Sequence, residues 1–68
     1  MHNWKTTFLP KEGYWIRKSN DGEMLLWLFN LNGDWVAKVK DGSPAGFTCI
    51  NGFCHADKGL QFKGPYIF

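Results

Sequence analysis

Two turn dipeptides, Asp21-Gly22 and Asn32-Gly33, divide residues 13–40 into three runs rich in aromatic and aliphatic side chains. The runs are Gly13-Tyr14-Trp15-Ile16-Arg17-Lys18, Glu23 to Phe29, and Trp35 to Lys40. Asp-Gly and Asn-Gly are the preferred two-residue hairpin loops because both central positions of a type I′ turn need φ > 0. The pattern predicts a three-stranded antiparallel meander.

Register follows from the loops. With Asp21-Gly22 as the first loop, Lys18 faces Leu25, Ile16 faces Trp27, Tyr14 faces Phe29, Arg17 faces Leu26 and Trp15 faces Leu28. With Asn32-Gly33 as the second, Phe29 faces Val36, Trp27 faces Lys38, Leu25 faces Lys40, Leu28 faces Ala37 and Leu26 faces Val39. Side chains alternate along a strand, so register sorts them into two faces. Trp15, Arg17, Met24, Leu26, Leu28, Trp35, Ala37 and Val39 form the expected core face. Tyr14, Ile16, Lys18, Leu25, Trp27, Phe29, Val36, Lys38 and Lys40 form the other. That second face is too apolar for an ordinary solvent face. It is expected to be covered by the C-terminal segment, another subunit or a ligand.

The flanks continue the same style. Trp4, Thr6 and Phe8 alternate with Lys5 and Thr7, and Trp4 and Phe8 are expected to cover one end of the core. Pro10 ends any strand there. Residues 41–46 read as a loop. Asn51-Gly52 is a third hairpin signal between Phe47-Thr48-Cys49-Ile50 and Phe53-Cys54-His55-Ala56. Ala56-Asp57-Lys58-Gly59 reads as a turn and Leu60-Gln61-Phe62-Lys63 as a last strand, broken by Gly64-Pro65. The apolar end Tyr66-Ile67-Phe68 is expected to dock on the sheet or on a neighbouring subunit. No helical period exceeds a turn. The expected fold is all-β: a small antiparallel meander or open barrel of roughly five or six short strands, SH3-like or OB-like in scale.

Residues 1–68 make one small domain, with twelve aromatic residues and a net charge of +2. That many rings exceeds what a core this small usually needs, so some should lie on a surface used for association or ligand binding. The mild charge argues against a general DNA-binding protein and against an acidic DNA mimic. No apolar run follows Lys5 as in a signal peptide, and no stretch approaches a transmembrane length. A cytoplasmic protein without membrane attachment is expected.

Candidate chemistry is sparse. With Asn51-Gly52 as the loop, Cys49 and Cys54 oppose each other at a non-hydrogen-bonded pair, where a disulfide is geometrically possible. In a reducing cytoplasm the bond stays open, and the favoured expectation is two small buried thiols packing with Phe47 and Phe53. Cys49, Cys54, His55 and His2 offer soft metal ligands, but adjacent Cys54 and His55 point to opposite faces, and no metal or other cofactor is expected. No third group supports a Cys-His nucleophile pair, and no glycine-rich loop precedes a helix, so an enzyme is not expected. The stronger signal is binding. Tyr14, Trp27 and Phe29 share a face with Lys18, Lys38 and Lys40, with Arg17 near the strand end. Aromatic planes stack on bases, while Lys and Arg neutralise phosphate. The same face could instead bury against the C-terminal segment, with lysines at the rim.

Glu12-Gly13-Tyr14-Trp15-Ile16-Arg17, then Asp21-Gly22-Glu23, Trp35 and the closing Phe62-Lys63-Gly64-Pro65 resemble small uncharacterised proteins of tailed phages and prophages. The resemblance spans most of the chain and rests on strand and turn signals. The Cys49 to Cys54 hairpin is not part of the shared pattern. The resemblance brings no catalytic residues. It implies an accessory factor in a bacterial host cytoplasm that counters a defence system. Such a factor would sequester a nucleotide-like signal as a homo-oligomer or dock on a host defence protein. A small β-barrel that binds single-stranded nucleic acid is the further alternative.

Overall fold

The Asn32-Gly33 and Asn51-Gly52 dipeptides do what their chemistry predicts. In the computed structural model, which describes residues 3–67, Asn32 and Gly33 have φ of 53° and 93°, and Asn51 and Gly52 have φ of 54° and 84°. Each pair forms a two-residue loop, so the strands on either side pair in the expected register. Among the described residues the chain is all-β, with seven strands. These are β1 (Thr7–Phe8), β2 (Gly13–Ser19), β3 (Gly22–Leu31), β4 (Asp34–Val39), β5 (Phe47–Ile50), β6 (Phe53–Ala56) and β7 (Gln61–Tyr66). The count passes the expected five or six because two-residue β1 and the last strand both form. All ladders are antiparallel. A larger sheet runs β4-β3-β2-β7 and a smaller one β1-β6-β5. No helix among the described residues is long and apolar enough to cross a membrane.

The first hairpin departs from expectation. Ser19 pairs with Gly22, so the loop is Asn20-Asp21, and Lys18 faces Glu23, Ile16 faces Leu25 and Tyr14 faces Trp27. Gly22 takes its positive φ of 123° at the first position of β3, not inside the turn. Ser19 Oγ accepts from the Asp21 N–H at 3.2 Å, which closes the turn locally. The shift is two residues along the strand, an even number, so every side chain keeps its expected face.

That face is the core. Trp15, Leu26, Leu28 and Val39 are buried, and Met24, Trp35 and Ala37 pack against them. Opposite lies the smaller sheet. Its Phe8 and Phe47 meet Trp15 and Phe62 of the larger sheet in a ring cluster. Centroids are 4.7 Å apart for Phe8–Trp15, 5.3 Å for Phe8–Phe62 and 5.6 Å for Phe47–Phe62. Edge-to-face and tilted contacts of this kind suit the ring quadrupoles. The backbone of Lys5 exchanges two 2.8 Å hydrogen bonds with Phe62, which ties the N-terminal segment to the free side of β7. The two sheets thus join along one edge into an open barrel. Phe8 covers the core as expected. Trp4 does not, and lies half-buried near Lys18 and Lys63.

Gly64-Pro65 does not break the last strand. β7 continues to Tyr66, with a register irregularity opposite β2 between Tyr14 and Ile16. The C-terminal segment therefore extends the sheet at the β2 edge instead of covering its outer face. Ile67 is exposed, and Phe68 lies outside the described residues, as does His2. Gly64 also seats Trp15: a Cβ there would stand 2.7 Å from Trp15 Cδ2 and 2.9 Å from Cγ. The indole is buried and cannot swing aside. Gly64→Ala is expected to cost about 1–3 kcal/mol by overpacking, read as a lower midpoint in urea unfolding.

Cys49 and Cys54 face each other across β5 and β6 and are joined by a disulfide. This corrects the expectation of two free buried thiols. Their partners differ too, since Phe53 points out and is exposed while Phe47 reaches the ring cluster. The physical reason is the non-hydrogen-bonded pair position, where facing side chains approach most closely.

Candidate ligand-binding face

The outer face of the larger sheet carries the side chains that the core rejects. β2 presents Tyr14, Ile16 and Lys18; β3 presents Leu25, Trp27 and Phe29; β4 presents Val36 and Lys38, with Lys40 just beyond it. Tyr14 stands directly opposite Trp27, and their rings meet edge to face with centroids 4.7 Å apart. Beside this pair lies a groove of about 410 Å³ lined by Tyr14, Leu25, Leu26, Trp27, Lys38, Val39 and Lys40. Its size falls in the range of small-molecule sites, which run from about 300 to 1,000 Å³. Two ammonium groups line it, and no carboxylate of the described residues does. A smaller groove of about 270 Å³ opens on the other side of the same pair, lined by Glu12, Gly13, Tyr14, Trp27, Tyr66 and Ile67.

The fold brings together four of the seven residues expected at the site: Tyr14, Trp27, Lys38 and Lys40. Phe29 shares the face but pairs with Val36, outside the groove lining. Lys18 sits at the opposite end of the face. Its Nζ lies 5.3 Å from the centre of the Trp4 ring, and Lys63 Nζ lies 4.4 Å from the same ring.

Arg17 is elsewhere. It lies on the core side of the sheet, opposite Met24, and its guanidinium donates to the carbonyls of Pro44 at 2.7 Å and Ala45 at 3.1 Å and to Ser43 Oγ at 3.3 Å. Its role as a phosphate ligand gives way to that of a clamp on the 41–46 loop. A planar guanidinium with several donors suits this task, because loop carbonyls without strand partners need donors.

The clamp sets one acid response. Asp41 Oδ1 accepts from the Ser43 N–H at 2.9 Å. Hydrogen bonds from Ser43, aided by the Arg17 charge, hold the Asp41 carboxyl below its ordinary value of 3.8. A lowered carboxyl contributes above its unfolded pKa, and the contribution is lost as pH falls through the folded one. The Ser43 amide resonance should therefore titrate with a midpoint below 3.8. Arg17→Ala should move that midpoint upward.

Leu25, Tyr66, Trp4 and Lys63 complete the face and were not among the expected site residues. Leu25 was legible from alternation alone. Tyr66 was hidden because Gly64-Pro65 reads as a strand breaker. Cys49 and Cys54 are engaged with each other. Among the described residues no three His, Cys, Asp or Glu side chains gather as metal ligands would. Comparison with protein-family models, curated proteins and solved structures returns no match.

Proposed function

We propose that this chain is a non-enzymatic binding protein that sequesters a nucleotide-like signalling molecule on the outer face of its larger sheet, acting as a homo-oligomer. The observation that carries this reading is the groove in which Tyr14 and Trp27 stand beside Lys38 and Lys40 with no acidic residue in the lining. An aromatic wall offers a stacking surface for a base, and paired ammonium groups offer charge-assisted hydrogen bonds to phosphate. The resemblance to small tailed-phage proteins supplies the context: an anti-defence accessory factor in a bacterial host cytoplasm.

Native mass spectrometry tests this on protein purified from infected, defence-active cells and from a plain host. The expected result is an added mass of nucleotide size in the first sample alone. An unmodified mass in both samples overturns sequestration and favours docking on a host defence protein.

A second reading has its own observation. The Trp4, Lys18 and Lys63 cluster lies on the same face as the groove, four residues along β2 from Tyr14, or about 13 Å. Two aromatic-basic stations in line suit a short single strand. That reading requires oligonucleotide affinity that falls steeply with salt. Salt-insensitive binding would exclude it.

A further inference from the structure

The Asn32-Gly33 loop determines where each backbone group of β4 points. In a two-residue loop the flanking residues Leu31 and Asp34 form the first hydrogen-bonded pair. From there bonding alternates, so Asp34, Val36 and Lys38 turn their N–H and C=O toward β3. Trp35, Ala37 and Val39 turn theirs outward. The Val39 carbonyl already accepts from Gly42 N at 2.9 Å. β4 ends its sheet, and among the described residues no backbone bond from outside the sheet reaches Trp35 or Ala37. The edge therefore presents two donors and two acceptors at alternate residues, the unit that another antiparallel strand takes up.

We propose that the occupant is a second copy of this chain, paired β4 to β4 about a two-fold axis at Val36. In that register Trp35 bonds to Ala37 of the second copy, and Ala37 to its Trp35, so all four outward groups are satisfied. Val36 meets its own symmetry mate at a non-hydrogen-bonded position, where side chains approach closest. Asp34 and Lys38 lie on the same outer face, so Asp34 of each copy stands opposite Lys38 of the other. A lysine on an edge strand ordinarily discourages pairing. Here the same short edge carries the charge that receives it.

Neighbouring symmetric registers fit less well. Centring on Ala37 would call on the Val39 carbonyl, which Gly42 occupies, and would set Lys38 against Val36. Centring on Trp35 would set Asp34 against Val36 and carry Lys38 past the Asn32-Gly33 loop.

The dimer deepens the oligomeric part of the proposed function, because it merges two four-stranded sheets into one continuous outer face. Both Tyr14–Trp27 grooves then open on that same face, one on either side of the seam. With Lys38 shared with Asp34 of the second copy, Lys40 is the ammonium of each groove left wholly to a phosphate. Five residues per copy at the seam make a small contact, so the dimer forms reversibly and depends on concentration.

Sedimentation velocity of the full chain without nucleotide tests this interface separately from ligand binding. The samples are the wild type, Asp34→Lys, and the double variant Asp34→Lys/Lys38→Asp. The wild type is expected to shift from monomer to dimer as concentration rises to the millimolar range. The single variant sets like charges opposite each other twice, and its dimer should be about tenfold weaker or more. The double variant restores both pairs and should recover the dimer. Both positions are exposed, and a thermal melt of each variant confirms the fold. A wild type that stays monomeric overturns the proposal, as does a dimer indifferent to Asp34→Lys or a double variant that fails to recover.

Discussion

Phe62→Ala is expected to remove from about a third to all of the domain's folding stability. Phe62 is fully buried, and its ring touches Phe8 and Phe47 from the smaller sheet while its own strand pairs with β2. Removing a buried Phe side chain costs about 3–5 kcal/mol, part transfer and part cavity. A domain of this length has a total stability of about 3–10 kcal/mol at the usual 0.05–0.15 kcal/mol per residue. The cavity would open where the two sheets meet, and its neighbours are rings held by several contacts, so collapse is poor. At about 4–8 °C per kcal/mol the melting temperature should fall by at least about 12 °C. A fall of only a few degrees, measured by circular dichroism, would mean that the ring cluster does not hold the sheets together.

Trp27→Ala should do the opposite, abolishing ligand binding while the fold survives. Trp27 is half-buried on the outer face and meets Tyr14 edge to face. The ring pair adds about 0.5–1.5 kcal/mol to a burial term that is only partial for Trp27, and a side chain already open to water leaves no closed cavity of the Phe62 kind when it is removed. Base stacking on an aromatic side chain is worth about 1–3 kcal/mol, or about 5- to 150-fold in affinity. The loss is larger in effect because Trp27 also walls both grooves. Titration of nucleotides into the folded variant measures it. A variant that unfolds like Phe62→Ala would place Trp27 in the core. One that binds as the wild type does would remove the groove from consideration. The two aromatic-to-alanine changes together separate a ring that holds the barrel from a ring that faces a ligand.

Much of this contrast is legible in the residues. Alternation along Trp15, Leu26, Leu28 and Val39 against Tyr14, Trp27 and Lys38 sorts the meander into its two faces. The sorting survives the first hairpin because moving its loop by one residue shifts the pairing by two, which preserves parity. Asn32-Gly33 and Asn51-Gly52 place their loops through local φ preference, and the second of them sets Cys49 opposite Cys54. These features depend on neighbours in sequence, and local chemistry determines them.

The rest depended on groups far apart in the chain. Arg17 turned to the core side, as alternation requires, but its partners are the carbonyls of Pro44 and Ala45 in a loop that lies near it only after folding. β7 passes through Gly64-Pro65 because β2 pairs with it on both sides of the irregularity and Trp15 fills the space at Gly64. Lys5 bonds to Phe62 and joins the two sheets. Trp4 meets Lys18 and Lys63 from two different strands. Period and turn chemistry act over a few residues, so the sequence by itself determined strands, loops and faces. Which strands distant in sequence became neighbours, β7 beside β2 and β1 beside β6, was decided by tertiary packing, because only the folded chain brings those groups within reach.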